Sequence, residues 1–114
     1  MKSVIHPYNG LDSTAVIELA DQVIGGADAM DFTAAVNTIL REGGLHIILA
    51  LQNVEIINSS GLGMIVAAHT TMRKHGGMLT LAAVPQRVSK LLEMTQLHSI
   101  FTIVPTIEDA LQRS

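Results

Sequence analysis

The apolar residues of this chain recur with two spacings, one typical of β-strands and one typical of helices. The strand pattern comes first along the chain. Residues 2–8 and 14–19 have extended character, and they flank Asn9-Gly10, a dipeptide that favours a hairpin turn because it tolerates positive φ. Pro7 has no backbone N–H to donate, so the first of these strands is expected at an edge of its sheet. The beginning of the chain is therefore predicted to form a β-hairpin.

The second period, that of a helix, begins after Gly26. Asp28 and Asp31 suit the first turn of a helix, where carboxylates stabilise the free N–H groups. Gly43 is a typical residue at the end of a helix. The apolar residues between these points share one helical face, and they are Phe32, Val36, Ile39 and Leu40.

Three more helices are predicted downstream. The second covers residues 60–75, and its apolar stripe is Leu62, Ile65, Val66, His69 and Met72. The third opens at Pro85, where a missing N–H does no harm, and its inner face is Val88, Leu91, Leu92 and Thr95. Thr106 and Asp109 resemble a capping box, which predicts a short terminal helix.

Three strands alternate with these helices. Residues 46–51 form a nearly continuous apolar run, as expected of a central strand covered on both faces. Residues 78–83 and 100–103 are the other two strands. The order ββαβαβαβα implies right-handed crossovers, so we expect an α/β fold with a mixed five-stranded sheet and about four helices. One domain over residues 1–114 is predicted.

Composition and charge exclude several classes of function. The chain is 48% hydrophobic and 15% charged, which is a globular profile. Its net charge of −3 does not suit a nucleic-acid binder, and without cysteine there is no disulfide or thiolate site. The five histidines lack metal-ligand spacing, and Gly61-Leu62-Gly63 is only a fragment of a dinucleotide motif. No metal, cofactor or catalytic residue is predicted.

The apolar stretches bear on location and on packing. None is long enough to span a bilayer, and no signal-peptide pattern is present, so a cytoplasmic protein without membrane insertion is expected. Aromatic residues make up 3% of the chain, so methionines are expected to fill gaps in the core: Met30, Met64, Met72, Met78 and Met94. The sheet edges of a free domain allow a weak homodimer.

The segment over residues 54–63 carries the candidate chemistry. It lies between a buried strand and a helix, where a loop can present side chains on a rigid base. Asn58, Ser59 and Ser60 are all residue types that cap helices. Their simplest role is capping alone. Leu62 and Met64 follow them, and each is either a core residue or part of an apolar partner surface.

The sequence from Val54 to Gly63, followed by Met64-Ile65-Val66, resembles the STAS domains, the fold of anti-sigma factor antagonists. The family pattern is an apolar strand and a short loop, then Asp-Ser-Ser/Thr-Gly-Leu-Gly opening a helix. The flanking segments 75–81, 88–97 and 101–111 also resemble the family. The resemblance covers about residues 16–111.

This resemblance implies a binding module without enzymatic activity. Ser59 stands at the phosphoacceptor position of the family, and Ser60 at the second hydroxyl position, to which we assign capping. The implied partners are an anti-sigma factor that is itself a serine kinase and a phosphatase that resets the switch. The residues implied in partner binding are Asn58, Ser59, Ser60, Gly61, Leu62 and Met64.

Two departures from the family pattern leave an alternative open. Asn58 replaces the usual Asp before the serine, and Ala50 stands where another Asp often ends the central strand. A scaffold or accessory subunit of a signalling complex or transporter, which is never phosphorylated, also fits these residues. A more remote alternative is a small enzyme or phosphocarrier that uses Ser59 or His69.

Overall fold

The computed structural model describes residues 4–8 and 13–112. These described residues form seven strands, four α-helices and one 3₁₀ turn at Leu97–Ser99. The strands are β1 Val4–Tyr8, β2 Thr14–Glu18, β3 Gln22–Val23, β4 His46–Ala50, β5 Ile56–Ile57, β6 Met78–Ala82 and β7 Thr102–Val104. The α-helices are α1 Ala27–Arg41, α2 Ser59–Lys74, α3 Gln86–Met94 and α4 Ile107–Gln112.

Five of the strands form the mixed sheet that the sequence predicts, in the order β1-β2-β4-β6-β7. Strand β1 pairs antiparallel with β2, and the other neighbours pair in parallel. The strand containing Pro7 therefore lies at a sheet edge, as expected; the Asn9-Gly10 turn lies outside the described residues. A second sheet of β3 and β5 was not predicted from the sequence.

Strand β4 is buried along its whole length because both faces of the sheet are covered. Ile47 and Leu49 point into a large core formed with α1, α2 and α3. Ile48 and Ala50 point into a smaller cluster with Ala110 of α4. The two-sided covering explains the continuous apolar run of this strand.

Two of the predicted core methionines are on the surface. Met64 and Met72 are buried, but Met30 is 76% exposed and Met94 is 73% exposed. Each exposed methionine lies two residues from a buried residue of its helix, Phe32 or Leu92, and a helix turns such positions to opposite sides. The expectation that all of them fill the core is therefore wrong for Met30 and Met94.

The last strand begins later than the sequence predicts. After α3, Gln96 adopts a left-handed conformation with φ 65°, and the 3₁₀ turn follows it. This turn uses up three residues, so pairing with β6 starts at Thr102 and leaves Ile100 half exposed. Further along, the predicted cap is confirmed, because the N–H of Asp109 donates to Oγ1 of Thr106 at 3.0 Å.

None of the helices in the described part of the chain combines the length and the apolar character that a bilayer crossing requires.

Candidate functional site

The candidate loop ends at the N-terminus of α2, on the surface of the domain. Ser59 is the first residue of the helix, and Asn58 precedes it in an extended conformation. The side chains of Asn58, Ser59 and Ser60 are all exposed. The structure thus presents the predicted phosphoacceptor hydroxyl to solvent at a helix N-terminus.

Asn58 is the residue that caps this helix. Its Oδ1 accepts a hydrogen bond from the N–H of Gly61 at 2.8 Å, and its backbone carbonyl accepts from the N–H of Leu62 at 2.9 Å. Ser60 lies one residue inside the helix, so the assignment of the cap to Ser60 is wrong. The amide of Asn58 makes the same bond to Gly61 that the usual aspartate could make.

Replacing Asn58 with alanine is expected to lower the free energy of unfolding by about 1 kcal/mol, the usual value of a lost side-chain cap. Ser60→Ala is the matched control, since it removes an exposed hydroxyl two residues further along the chain. It is expected to lower the free energy of unfolding by less than about 0.5 kcal/mol. Urea denaturation of both variants measures the difference. Equal losses in the two would contradict the assignment of the cap.

A second segment, Val23 to Gly25, packs directly against the start of α2. The N–H of Asn58 donates to the carbonyl of Val23 at 3.4 Å. A Cβ added to Gly61 would lie 1.9 Å from that same carbonyl oxygen, and a Cβ added to Gly25 would lie 2.7 Å from Cβ of Ser60. These two glycines let the backbones approach closely. The close packing holds the loop of Asn58, Ser59 and Ser60, called the Ser59 loop below, on a rigid base.

Sequence reasoning missed this packing. In the sequence, Gly25-Gly26 indicates only the boundary before a helix, and both residues do have positive φ. Gly25 has a further role, because the absence of a Cβ there lets a segment about thirty-five residues earlier in the chain lie against Ser60. The only local signal was the glycine pair itself.

Leu62 and Met64 lie beneath the loop rather than on its surface. Leu62 is 5% exposed and Met64 is 6% exposed, and both belong to the large core. Met64 lines a narrow cleft between α1 and α2 with Phe32 and Val36. Of the residues implied in partner binding, the exposed ones are therefore Asn58, Ser59 and Ser60, while Gly61, Leu62 and Met64 support them.

The structure does not bring His69 to Ser59. His69 lies ten residues further along α2, or about 15 Å along the helix axis. Its ring packs edge-on against Phe101 at 5.2 Å, and its buried Nδ1 has no hydrogen-bond partner among the described residues. Burial lowers the pKa of His69, and the positive charge of Arg73 lowers it further. These contacts are those of a packed side chain.

His46 also has a structural role. His46 lies on β4, and a hydrogen bond of 2.8 Å joins its Nε2 to Oγ1 of Thr80 on β6. Within residues 4–8 and 13–112, no group of three acidic, histidine or cysteine side chains is placed to hold a metal ion. The candidate site is a surface loop that carries hydroxyl and amide groups on a rigid base.

The fold and this loop define the class of protein. The STAS domain family matches residues 9–110. The chain belongs to the STAS domain family.

Individual relatives agree with this membership. The chain is 35% identical over 66 residues to the anti-sigma F factor antagonist of Paenibacillus polymyxa, covering 58% of this chain and 56% of that protein. It is 32% identical over 73 residues to the anti-sigma-B factor antagonist of Bacillus subtilis (strain 168), covering 64% and 67%. The match thus spans less than two thirds of the Paenibacillus protein's length.

A solved structure shares the fold. SpoIIAA, a Bacillus cell fate determinant solved in its phosphorylated form, superposes with a TM-score of 0.72 at 19% sequence identity. The match covers 96% of this chain and 98% of that one.

Proposed function

We propose that this chain is an anti-sigma factor antagonist that binds an anti-sigma factor of the serine-kinase type through the loop at Asn58, Ser59 and Ser60. The observation that carries the proposal is the exposed hydroxyl of Ser59 at the first position of α2. The names of the Paenibacillus and Bacillus relatives support this role. Such a module acts by binding, without turnover of its own, and it works in the cytoplasm where sigma factors are regulated.

Phosphorylation of Ser59 is the proposed switch, and the domain can carry it without unfolding. A phosphoserine adds about −1.5 to −2 charges and three strong acceptor oxygens. At the start of α2 the N–H groups of Ser59 and Ser60 make no backbone hydrogen bond with the described residues. Free N–H groups and the helix dipole both stabilise an anion in this position.

The same charge works against a closed interface. A partner packed on the loop would have to desolvate the phosphate or leave it mispaired, at a cost of roughly 2–5 kcal/mol. Affinity would then fall by roughly 1.5 to 3.5 decades, which releases the partner and leaves the antagonist folded. A phosphatase that removes the group would restore binding.

A pull-down from the lysate of the native host tests this proposal, with four versions of the chain as bait. Wild type and Ser59→Ala are expected to retain a serine kinase, and Ser59→Asp is expected to lose it. Thr70→Asp is the matched control, because it puts the same charge on an exposed position of α2 far from the loop. We expect this control to bind like wild type.

The captured kinase then provides the direct assay. Incubated with ATP, it should add one phosphate to wild type and none to Ser59→Ala, as measured by intact-protein mass spectrometry. Retention of the same partner by all four baits would contradict the switch, and so would phosphorylation of Ser59→Ala.

A constitutive scaffold or accessory subunit is the second candidate. The observation in its favour is Asn58, whose amide caps α2 but offers no carboxylate beside the acceptor hydroxyl. A scaffold would hold its partner whatever the charge at Ser59. The pull-down therefore separates the two functions.

A further inference from the structure

An apolar groove runs beside the Ser59 loop, between β5 and α3. Ile56 and Ile57 form one side, and Leu91 and Met94 form the other. The groove encloses about 390 Å³. Because Ile57 directly precedes Asn58, the groove lies beside the loop.

Two apolar side chains of this groove are largely exposed, although the domain buries most of its other large apolar residues. Ile56 is 50% exposed and Met94 is 73% exposed, while Leu92 on the inner side of α3 is 1% exposed. A flexible methionine beside a β-branched residue can adapt its shape to an incoming side chain. Exposed apolar area beside a candidate binding loop is typical of an interaction surface.

Two cations line the same groove. Arg87 and Lys90 lie one turn apart on α3, and Nη1 of Arg87 donates to the backbone carbonyl of Glu55 at 2.8 Å, which holds the guanidinium at the rim. In the part of the chain that the structure describes, no carboxylate forms an ion pair with either of them. Glu55 is the one acidic residue of the lining. The lining thus carries two cations and one carboxylate, a net charge of +1 on a chain whose net charge is −3.

From these observations we propose that the groove docks an acidic amphipathic segment of the protein partner. Its apolar residues would cover Ile56 and Met94, and its carboxylates would pair with Arg87 and Lys90. Amphipathic helices bind apolar grooves in this way, and complementary charge sets their orientation. The inference rests on the proposed function in that the same partner would also contact Ser59.

Photo-crosslinking tests which molecule lies in the groove. Benzoylphenylalanine replaces Met94 in the full chain, and in a matched control it replaces Met30, which is equally exposed but lies on α1. After irradiation in the native host, mass spectrometry identifies the crosslinked segment. We expect an acidic amphipathic protein segment at position 94 and not at position 30. No crosslink above the control would overturn the proposal, as would a lipid, a nucleic acid, a basic segment or a second copy of this chain.

The crosslinked segment, made as a labelled peptide, then gives an affinity by fluorescence anisotropy. Reversing both cations (Arg87→Glu with Lys90→Glu) is expected to raise the Kd at least about tenfold. The control Arg41→Glu with Lys74→Glu changes the net charge equally, at the far ends of α1 and α2, and is expected to leave the Kd within about twofold. Equal affinities of the two double variants would overturn the proposal.

Ser59→Asp separates this inference from the proposed function. If the reversed groove weakens the peptide while Ser59→Asp leaves the captured partner bound, the groove holds and the switch fails. If Ser59→Asp releases the partner while the groove variants bind like wild type, the switch holds and the groove proposal fails.

Discussion

Gly61→Ala is expected to destabilise the domain by about 3 kcal/mol or more, at the upper end of what a single added methyl group usually costs. The added Cβ would meet the carbonyl oxygen of Val23 at 1.9 Å, far inside van der Waals contact. The obstacle is backbone, so no side-chain rotation relieves it. Either β3 moves away or the first turn of α2 shifts, and a shift breaks the bond from Gly61 to Asn58.

Gly63→Ala is the matched control on the same helix. Gly63 is exposed, and a Cβ there would have no atom within 4 Å. Alanine favours a helix interior over glycine by about 1 kcal/mol, so this variant is expected to be as stable as wild type or more stable. Urea denaturation followed by circular dichroism compares the two. A Gly61→Ala variant as stable as Gly63→Ala would refute the close packing of β3 against α2.

The main sheet could be predicted because each of its strands leaves a local pattern. The unbroken run of β4 indicates a strand covered on both faces, and Pro7 indicates an edge. The pair β3 and β5 leaves no such pattern, since each has two residues, too few for any periodicity. Their pairing joins Gln22 to Ile56 and is decided by tertiary packing.

The position of the candidate loop in the sequence could also be predicted, but which of its residues are buried could not. The motif places Ser59 correctly at the start of a helix. It does not reveal that Leu62 and Met64 both turn inward. Helix α2 contacts the sheet through β6 and also contacts α1, so its buried face is wider than one apolar stripe. Residues two positions apart can then both be buried. The periodicity of a single helix does not show this, because it carries no information on how many neighbours the helix packs against.

Leu49→Ala is the second variant for which a large effect is expected, a loss of about 3–5 kcal/mol in the free energy of unfolding. Leu49 is fully buried on β4, between the neighbours Ile17 on β2 and Leu81 on β6. Strands on both sides and helices above hold the surrounding atoms in place, so the cavity cannot collapse. A domain of this size has a total stability of about 5–15 kcal/mol, so this one change removes a large part of it.

Leu45→Ala is the matched control, because it removes the same side-chain atoms one residue before β4. Comparing the two variants separates the cost of a buried cavity from the cost of the leucine-to-alanine change at a half-exposed position. Leu45 is 47% exposed, and its backbone carbonyl accepts from the N–H of Met78 while its own N–H donates to the carbonyl of Ser13. Both hydrogen bonds are kept in the variant. We expect a loss of less than about 1.5 kcal/mol, because half of the side chain is already in water. Urea denaturation of the two variants gives both values. Similar losses would mean that Leu49 is not enclosed in the large core, and the packing of the sheet against the helices that places the Ser59 loop would then be wrong.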